Sequence, residues 1–291
     1  MTSRKGSHSR PPVPPSGSAR RPTLTLGSNP GAGAEAGAAA AEDARRTRPL
    51  RIAGLAAVQA LFARDPDRVE RLFYEDRLKG EVGPFCAHLA ARRRPYRLVG
   101  PEEMEKVAGT PLHGGIVAVA APRPVLPFDL ADASRWAAAG HPLLLLDGVG
   151  NPHNLGAIVR TAAFFGLERL VLSDHPGQAL PSDSAYRVAE GGFEHVTLYR
   201  ATGFAGVLAA LGGAYRTIGT ALGGHTPLEQ LLAAPTQGKP VALVLGNEEQ
   251  GLPAPTQAAC AALATIPGSG RVQSLNVSAT AAILAYLLTR G

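Results

Sequence analysis

Apolar residues in this chain fall into short continuous runs separated by stretches of helical spacing. From position 51 onward the pattern predicts a helix over 52–62 (IAGLAAVQALF), a strand over 69–74, a helix over 84–93 and a strand over 96–99. A helix over 101–107 and a buried strand over 115–120 (GIVAVA) follow. Such alternation predicts a small layered α/β module spanning 49–121. Residues 122–141 are Pro-rich, with a short Ala-rich helix candidate around Trp136, and read as a linker. A larger α/β unit over 142–291 comes next. Its predicted strands are 143–146, 169–172, 196–199, 215–219 and 241–245, with helices over 155–165, 204–211 and 278–288. Fully apolar strands between helices imply a mostly parallel sheet covered on both faces, where ligands gather at the carboxyl ends of strands.

Residues 1–48 break the pattern. They are rich in Pro, Gly, Ser, Ala and Arg, cannot bury enough apolar surface to offset chain entropy, and read as a disordered basic tail. The whole chain of 291 residues carries a net charge of +6, and its cations are nearly all Arg, with Lys only at 5, 79, 106 and 239. Guanidinium forks suit phosphate and stack on bases, which points to a polyanionic partner such as RNA; codon bias alone would give the same excess. Cys86 and Cys260 lack metal or disulfide-framework spacing, so no metal site is expected. No apolar run reaches the length of a membrane span, and the expectation is a cytosolic protein with no membrane partner.

Three segments beside apolar strands are polar where a core would not be. In the first, LLLLDGVGNPHNLGAIVR, Asn154 would cap a helix while presenting its amide, Gly156 would admit a close backbone, and Arg160 would lie almost two turns on, within reach of an anion. An N-cap, a packing glycine and a surface arginine would look the same. In the second, VALVLGNEEQGL, a glycine closes a buried strand and a carboxylate follows; a plain turn would look similar. In the third, IPGSGRVQSLNVS, polar side chains alternate ahead of the last helix, as they would in a helix cap. Gly148, Gly150 and Gly156 miss the dinucleotide-binding spacing and no P-loop is present, which disfavours nicotinamide redox chemistry and nucleotide hydrolysis.

Taken together, the three segments resemble the motifs of the SpoU (TrmH-like) class of SPOUT RNA methyltransferases: NxGxxxR at 154–160, a strand plus GNE at 245–248, and IPxxGxVxSLNVS at 266–278. Residues 49–121 are similar to the small L30e-like substrate-binding domain often fused ahead of it. The resemblance implies methyl transfer from S-adenosylmethionine to a ribose 2′-hydroxyl of rRNA or tRNA, without a metal. It also implies a homodimer and a parallel sheet whose C-terminal part forms a deep trefoil knot. A non-catalytic RNA-binding or ribosome-assembly protein of the same fold is the alternative.

Carried onto this chain, the resemblance assigns Leu245, Gly246, Glu248, Gly251, Ile266, Leu275 and Asn276 to the cofactor. It assigns Arg160, Asn154, Ser274, Asn276 and Glu248 to the active site. Arg160 matches the arginine proposed as general base, but a guanidinium stays protonated unless a neighbouring cation and desolvation act on it. Binding of the phosphate beside the target ribose is the role expected here. Two positions depart from the family pattern: Gly268, where a methionine is common, and Glu190, where a small polar residue is expected.

Overall fold

The computed structural model describes residues 48–222, 226–234, 238–247 and 249–289. The predicted basic tail, apart from Arg48, therefore lies outside the described residues, as does Glu248. The described residues form one compact unit built on two sheets.

The first sheet has four strands: β1 (Leu50–Ala53), β2 (Val69–Tyr74), β3 (Tyr96–Leu98) and β4 (Ile116–Ala120). Its order is β1-β4-β2-β3, with β4 antiparallel to β1 and β2 and β3 parallel to β2. Helices α1 (Leu55–Arg64), α2 (Gly83–Ala91) and α3 (Pro101–Ala108) pack on it. The helix expected over 52–62 begins later than its spacing suggests. Ile52 belongs to β1 and pairs with Ala118, and Gly54, at φ 98°, turns the chain before α1.

The second sheet has eight strands, all parallel to their neighbours. They are β5 (Leu126–Pro127), β6 (Leu143–Leu146), β7 (Arg169–Leu172), β8 (Thr197–Arg200), β9 (Arg216–Thr220), β10 (Thr226–Pro227), β11 (Val241–Leu245) and β12 (Ala262–Thr265). The order is β10-β12-β9-β11-β6-β7-β8-β5, so β11 returns to the middle of the sheet between β9 and β6. Helices α4 (Leu130–Ala138), α5 (Pro152–Phe164), α6 (Asp183–Ala189), α7 (Phe204–Leu211), α8 (Leu228–Ala233), α9 (Ala254–Ala259) and α10 (Val277–Thr289) complete it.

Both faces of this sheet are dry, which is why its central strands read as unbroken apolar runs. Leu144, Leu146, Leu170, Leu172, Leu243 and Leu245 face the side of α5 and α10. Leu143, Leu145, Val171, Ala242 and Val244 face the side of α4 and α7. The first of these cores continues into Ile52, Val58, Leu61 and Leu72, so the two sheets share one apolar interior. Burial at this scale supplies the main driving force for folding.

The tract read as a linker is built into the second sheet. β5 pairs with β8 at its edge, and Asp129 caps α4 by accepting from the amides of Ala131 and Asp132. Trp136 then packs against Phe128 and Tyr199, with the Arg169 guanidinium 5.0 Å from its ring centre.

Polar contacts also tie the small sheet and its flanking residues to the start of α6 and to the turn after it. Arg68 donates to both carboxylate oxygens of Glu194 at 2.9 and 3.1 Å, Arg51 donates its amide to Asp183, and Arg123 donates to the Phe193 carbonyl.

Candidate active site

The strand ends of β9, β11 and β12 open into a cavity of about 650 Å³, within the range of small-molecule sites. Leu245, Gly246, Gly251, Ile266 and Leu275, all expected to hold the cofactor, line it, and so does Ser274. Gly246 and Gly251 are required by geometry. A side chain at Gly246 would place its Cβ 2.4 Å from the carbonyl carbon of Gly251, and Gly251 itself sits at φ 70°. Backbone groups therefore form the cavity edge here.

Asn247 organises this turn. Its backbone exchanges two hydrogen bonds with Gly251, at 3.0 and 2.9 Å, and its side-chain oxygen accepts from the amides of Glu249 and Gln250. Its amide nitrogen donates to the Gly148 carbonyl at 3.0 Å, which joins the second segment to the first. Asn247 stands inside the GNE triplet but was not among the residues expected in the site. Nor were Thr220, Ala221 and Leu222, which line the cavity beyond β9 and carry no motif.

The first segment differs in detail from its expected form. The cap of α5 is Asn151, whose side chain accepts from the His153 amide, with Pro152 in the first turn. Asn154 lies one turn inside and is buried, because its side chain faces the third segment. Asn276 donates to Asn154 Oδ1 at 3.2 Å while its own oxygen accepts from the Ser278 amide and hydroxyl. Asn276 is thus both a cap at the start of α10 and a bridge, and it does not line the cavity. Gly156 is pressed against α6: a Cβ there would lie 2.4 Å from the Ala185 carbonyl oxygen. The loop before Asn151 is held by buried Gln178, which bonds both backbone groups of Val149.

Arg160 stands apart from the cavity lining. Its guanidinium is more than half exposed and pairs with Glu190 at 2.8 Å. Among the described residues no cluster of His, Cys, Asp or Glu could hold a metal ion, and no helix is long and apolar enough to cross a membrane.

The donor set fits an adenosyl cofactor: apolar walls from Leu245, Ile266, Val272 and Leu275, exposed backbone at glycine turns, and a few hydroxyl and amide side chains beside them. Fold and cavity together define an α/β enzyme that binds a nucleoside-type cofactor at the carboxyl ends of a parallel sheet. Residues 141–286 match the model of the SpoU rRNA methylase family, and residues 51–126 match that of the RNA 2′-O ribose methyltransferase substrate-binding region. The chain belongs to the SpoU rRNA methylase family.

A 23S rRNA (guanosine-2′-O-)-methyltransferase, RlmB, of Acinetobacter baylyi is 33% identical over 240 residues, covering 80% of this chain and 94% of that one. An uncharacterized tRNA/rRNA methyltransferase, YfiF, of Escherichia coli O157:H7 is 30% identical over 252 residues, covering 82% and 68%. Among solved structures, an AdoMet-bound rRNA methyltransferase from Sinorhizobium meliloti aligns with a TM-score of 0.68 at 25% identity, covering 86% of this chain and 89% of that one. The protein is an S-adenosylmethionine-dependent RNA methyltransferase acting on a ribose 2′-hydroxyl.

Proposed function

We propose that this enzyme methylates the ribose of a guanosine in large-subunit ribosomal RNA, in the cytosol and as a homodimer. The observation that carries the site assignment is the convergence of the three motif segments. Asn247 bonds to Gly148, Asn276 bonds to Asn154, and the second and third segments share the cavity. The choice of RNA rests on the relative from Acinetobacter baylyi, whose name specifies 23S rRNA and guanosine.

In this reading Leu245, Gly246, Gly251, Ile266 and Leu275 hold S-adenosylmethionine, largely through backbone groups. The bound cofactor supplies a methyl carbon made electrophilic by its sulfonium, so the protein's task is alignment. Ser274, Asn154 and Asn276 orient the target nucleotide, and Arg160 binds the phosphate beside the target ribose and thereby fixes its 2′-hydroxyl. Residues 49–121 select the RNA by the shape of its loops.

A second copy is supported by an apolar patch where α5 meets α10. Phe164 is 82% exposed and stacks edge-on with Phe165, which in turn meets Tyr286. The deciding experiment incubates purified protein, S-adenosyl-[methyl-³H]methionine and separate pools of unmodified tRNA and rRNA, then locates the label by nuclease digestion. Label on a guanosine ribose of large-subunit rRNA is expected; label confined to tRNA, or on a base, overturns the assignment. Light scattering on the same sample should give a dimer mass.

A further inference from the structure

Among the described residues, only Arg93 and Glu190 hold a positive φ without being glycine. Glu190, at φ 45° and ψ 44°, ends α6 in the left-handed conformation that glycine adopts at least cost. What the glutamate gains there is one ion pair, to Arg160, with both side chains more than half exposed. Such a pair adds little to stability, so stability does not account for a glutamate at this strained position.

The turn is pinned on both sides. A Cβ on Gly191 would lie 2.7 Å from Ala60 Cβ of the small sheet's first helix, and one on Gly192 would lie 3.0 Å from Arg160 Cα. Two residues further on, Glu194 is buried against Arg68. The carboxylate of Glu190 is therefore presented to the guanidinium by a turn wedged between the small sheet and the helix that bears Arg160.

Resting on the reading of Arg160 as the phosphate-binding arginine, we propose that Glu190 is a positioning residue that occupies the phosphate's place. Its carboxylate holds the Arg160 guanidinium extended until a backbone phosphate of the RNA displaces it. A carboxylate and a phosphate both offer paired oxygen acceptors to a guanidinium, so one exchanges for the other without rebuilding the site. The exchange weakens binding of every polyanion at Arg160 and leaves only RNA held by further contacts able to complete it.

The test is a binding cycle on the full-length protein with unmodified 23S rRNA transcript as probe, comparing wild type, Glu190→Gln, Arg160→Ala and the double variant. Glu190→Gln should tighten RNA binding about three- to tenfold at low salt, with the gain shrinking as salt rises. In the Arg160→Ala background the same change should have no effect. An equal gain in that background would mean general charge removal and overturns the proposal, as would unchanged or weaker binding by Glu190→Gln alone. Glu190→Gly, which removes the charge and relieves the left-handed backbone, should reproduce the tightening without lowering the melting temperature. In turnover the gain should appear as a lower KM for RNA. If the wild type transfers no methyl group, the functional reading fails while the binding cycle still decides the role of Glu190.

Discussion

The side chain of Asn276 donates to that of Asn154 at 3.2 Å, across 122 positions of sequence, and joins the last motif of the chain to the first. The two ends of the Asn276 amide do different work, since its oxygen accepts from Ser278 at the start of α10. Asn276→Asp keeps that acceptor and removes the donor. It should cost about 1 kcal/mol of stability from the unmade bond and lower methyl transfer roughly tenfold, the equivalent of a barrier change near 1.4 kcal/mol. Asn276→Ala removes both and should cost more stability. Thermal unfolding and initial rates on the two variants separate bridge from cap; equal losses would show that the cap contributes nothing, and an Asn276→Asp variant equal to wild type that the bridge contributes nothing.

Gly246 and Gly268 both line the cavity yet should respond oppositely to an added methyl group. At Gly246 the methyl would meet only backbone, at 2.4 to 2.6 Å, so the turn itself would have to move. Gly246→Ala should destabilise the protein by about 1–3 kcal/mol and abolish measurable cofactor binding by calorimetry. At Gly268 nothing lies within 4 Å, and Gly268→Ala should stay within about 0.5 kcal/mol of wild type. Normal cofactor affinity in Gly246→Ala would remove this turn from the cofactor site.

The contrast shows what the sequence could and could not reveal. Gly246 was legible because it follows an unbroken apolar strand, and that strand, β11, lies in the middle of the sheet. β12 was not legible, since Ala262–Thr265 is Ala-rich and short, and gives no period that tells strand from helix. Helix α6, at seven residues, is shorter than the windows from which a helical period can be read. Asn151 was passed over as a cap because Asn154 offers the same chemistry one turn later. The pairing of Arg68 with Glu194 lies beyond any local pattern, because its partners are 126 positions apart. Threading leaves no trace in periodicity either, so the knot stands as an expectation of the resemblance alone.

That pairing should be costly to break from one side. Glu194 is 2% exposed at its side chain and Arg68 11%, so removing Arg68 leaves a buried carboxylate with only the more distant Arg123 guanidinium, at 3.9 Å, to compensate it. Arg68→Ala, which also loses the bond to the Ala121 carbonyl, should cost about 3–5 kcal/mol. Pairing Arg68→Met with Glu194→Leu should recover most of the loss. Denaturant melts of the single and double variants test this; a single variant within 1 kcal/mol of wild type would show that this ion pair adds nothing to the joint between the sheets.

Cys260 gives a prediction whose sign follows from burial. Its thiol donates to the Thr256 carbonyl at 3.2 Å, and burial, with a lesser contribution from the Asp147 carboxylate, raises its pKa from an ordinary 9.0 to about 11. Burial raises Cys86 as well. At pH 8 the native Cys260 thiolate should be roughly a hundredfold scarcer than in the unfolded chain, and alkylation should slow in proportion. Iodoacetamide labelling read by peptide mass, with and without denaturant, measures the ratio; equal rates would mean an open thiol. The same shift has a consequence for stability. Between about pH 9 and 11 the folded thiol keeps a proton that the unfolded one has released, so unfolding sheds a proton in that window and stability falls as pH rises through it. Cys260→Ala should flatten that part of the alkaline decline while leaving stability at pH 7 lower by the loss of a packed side chain.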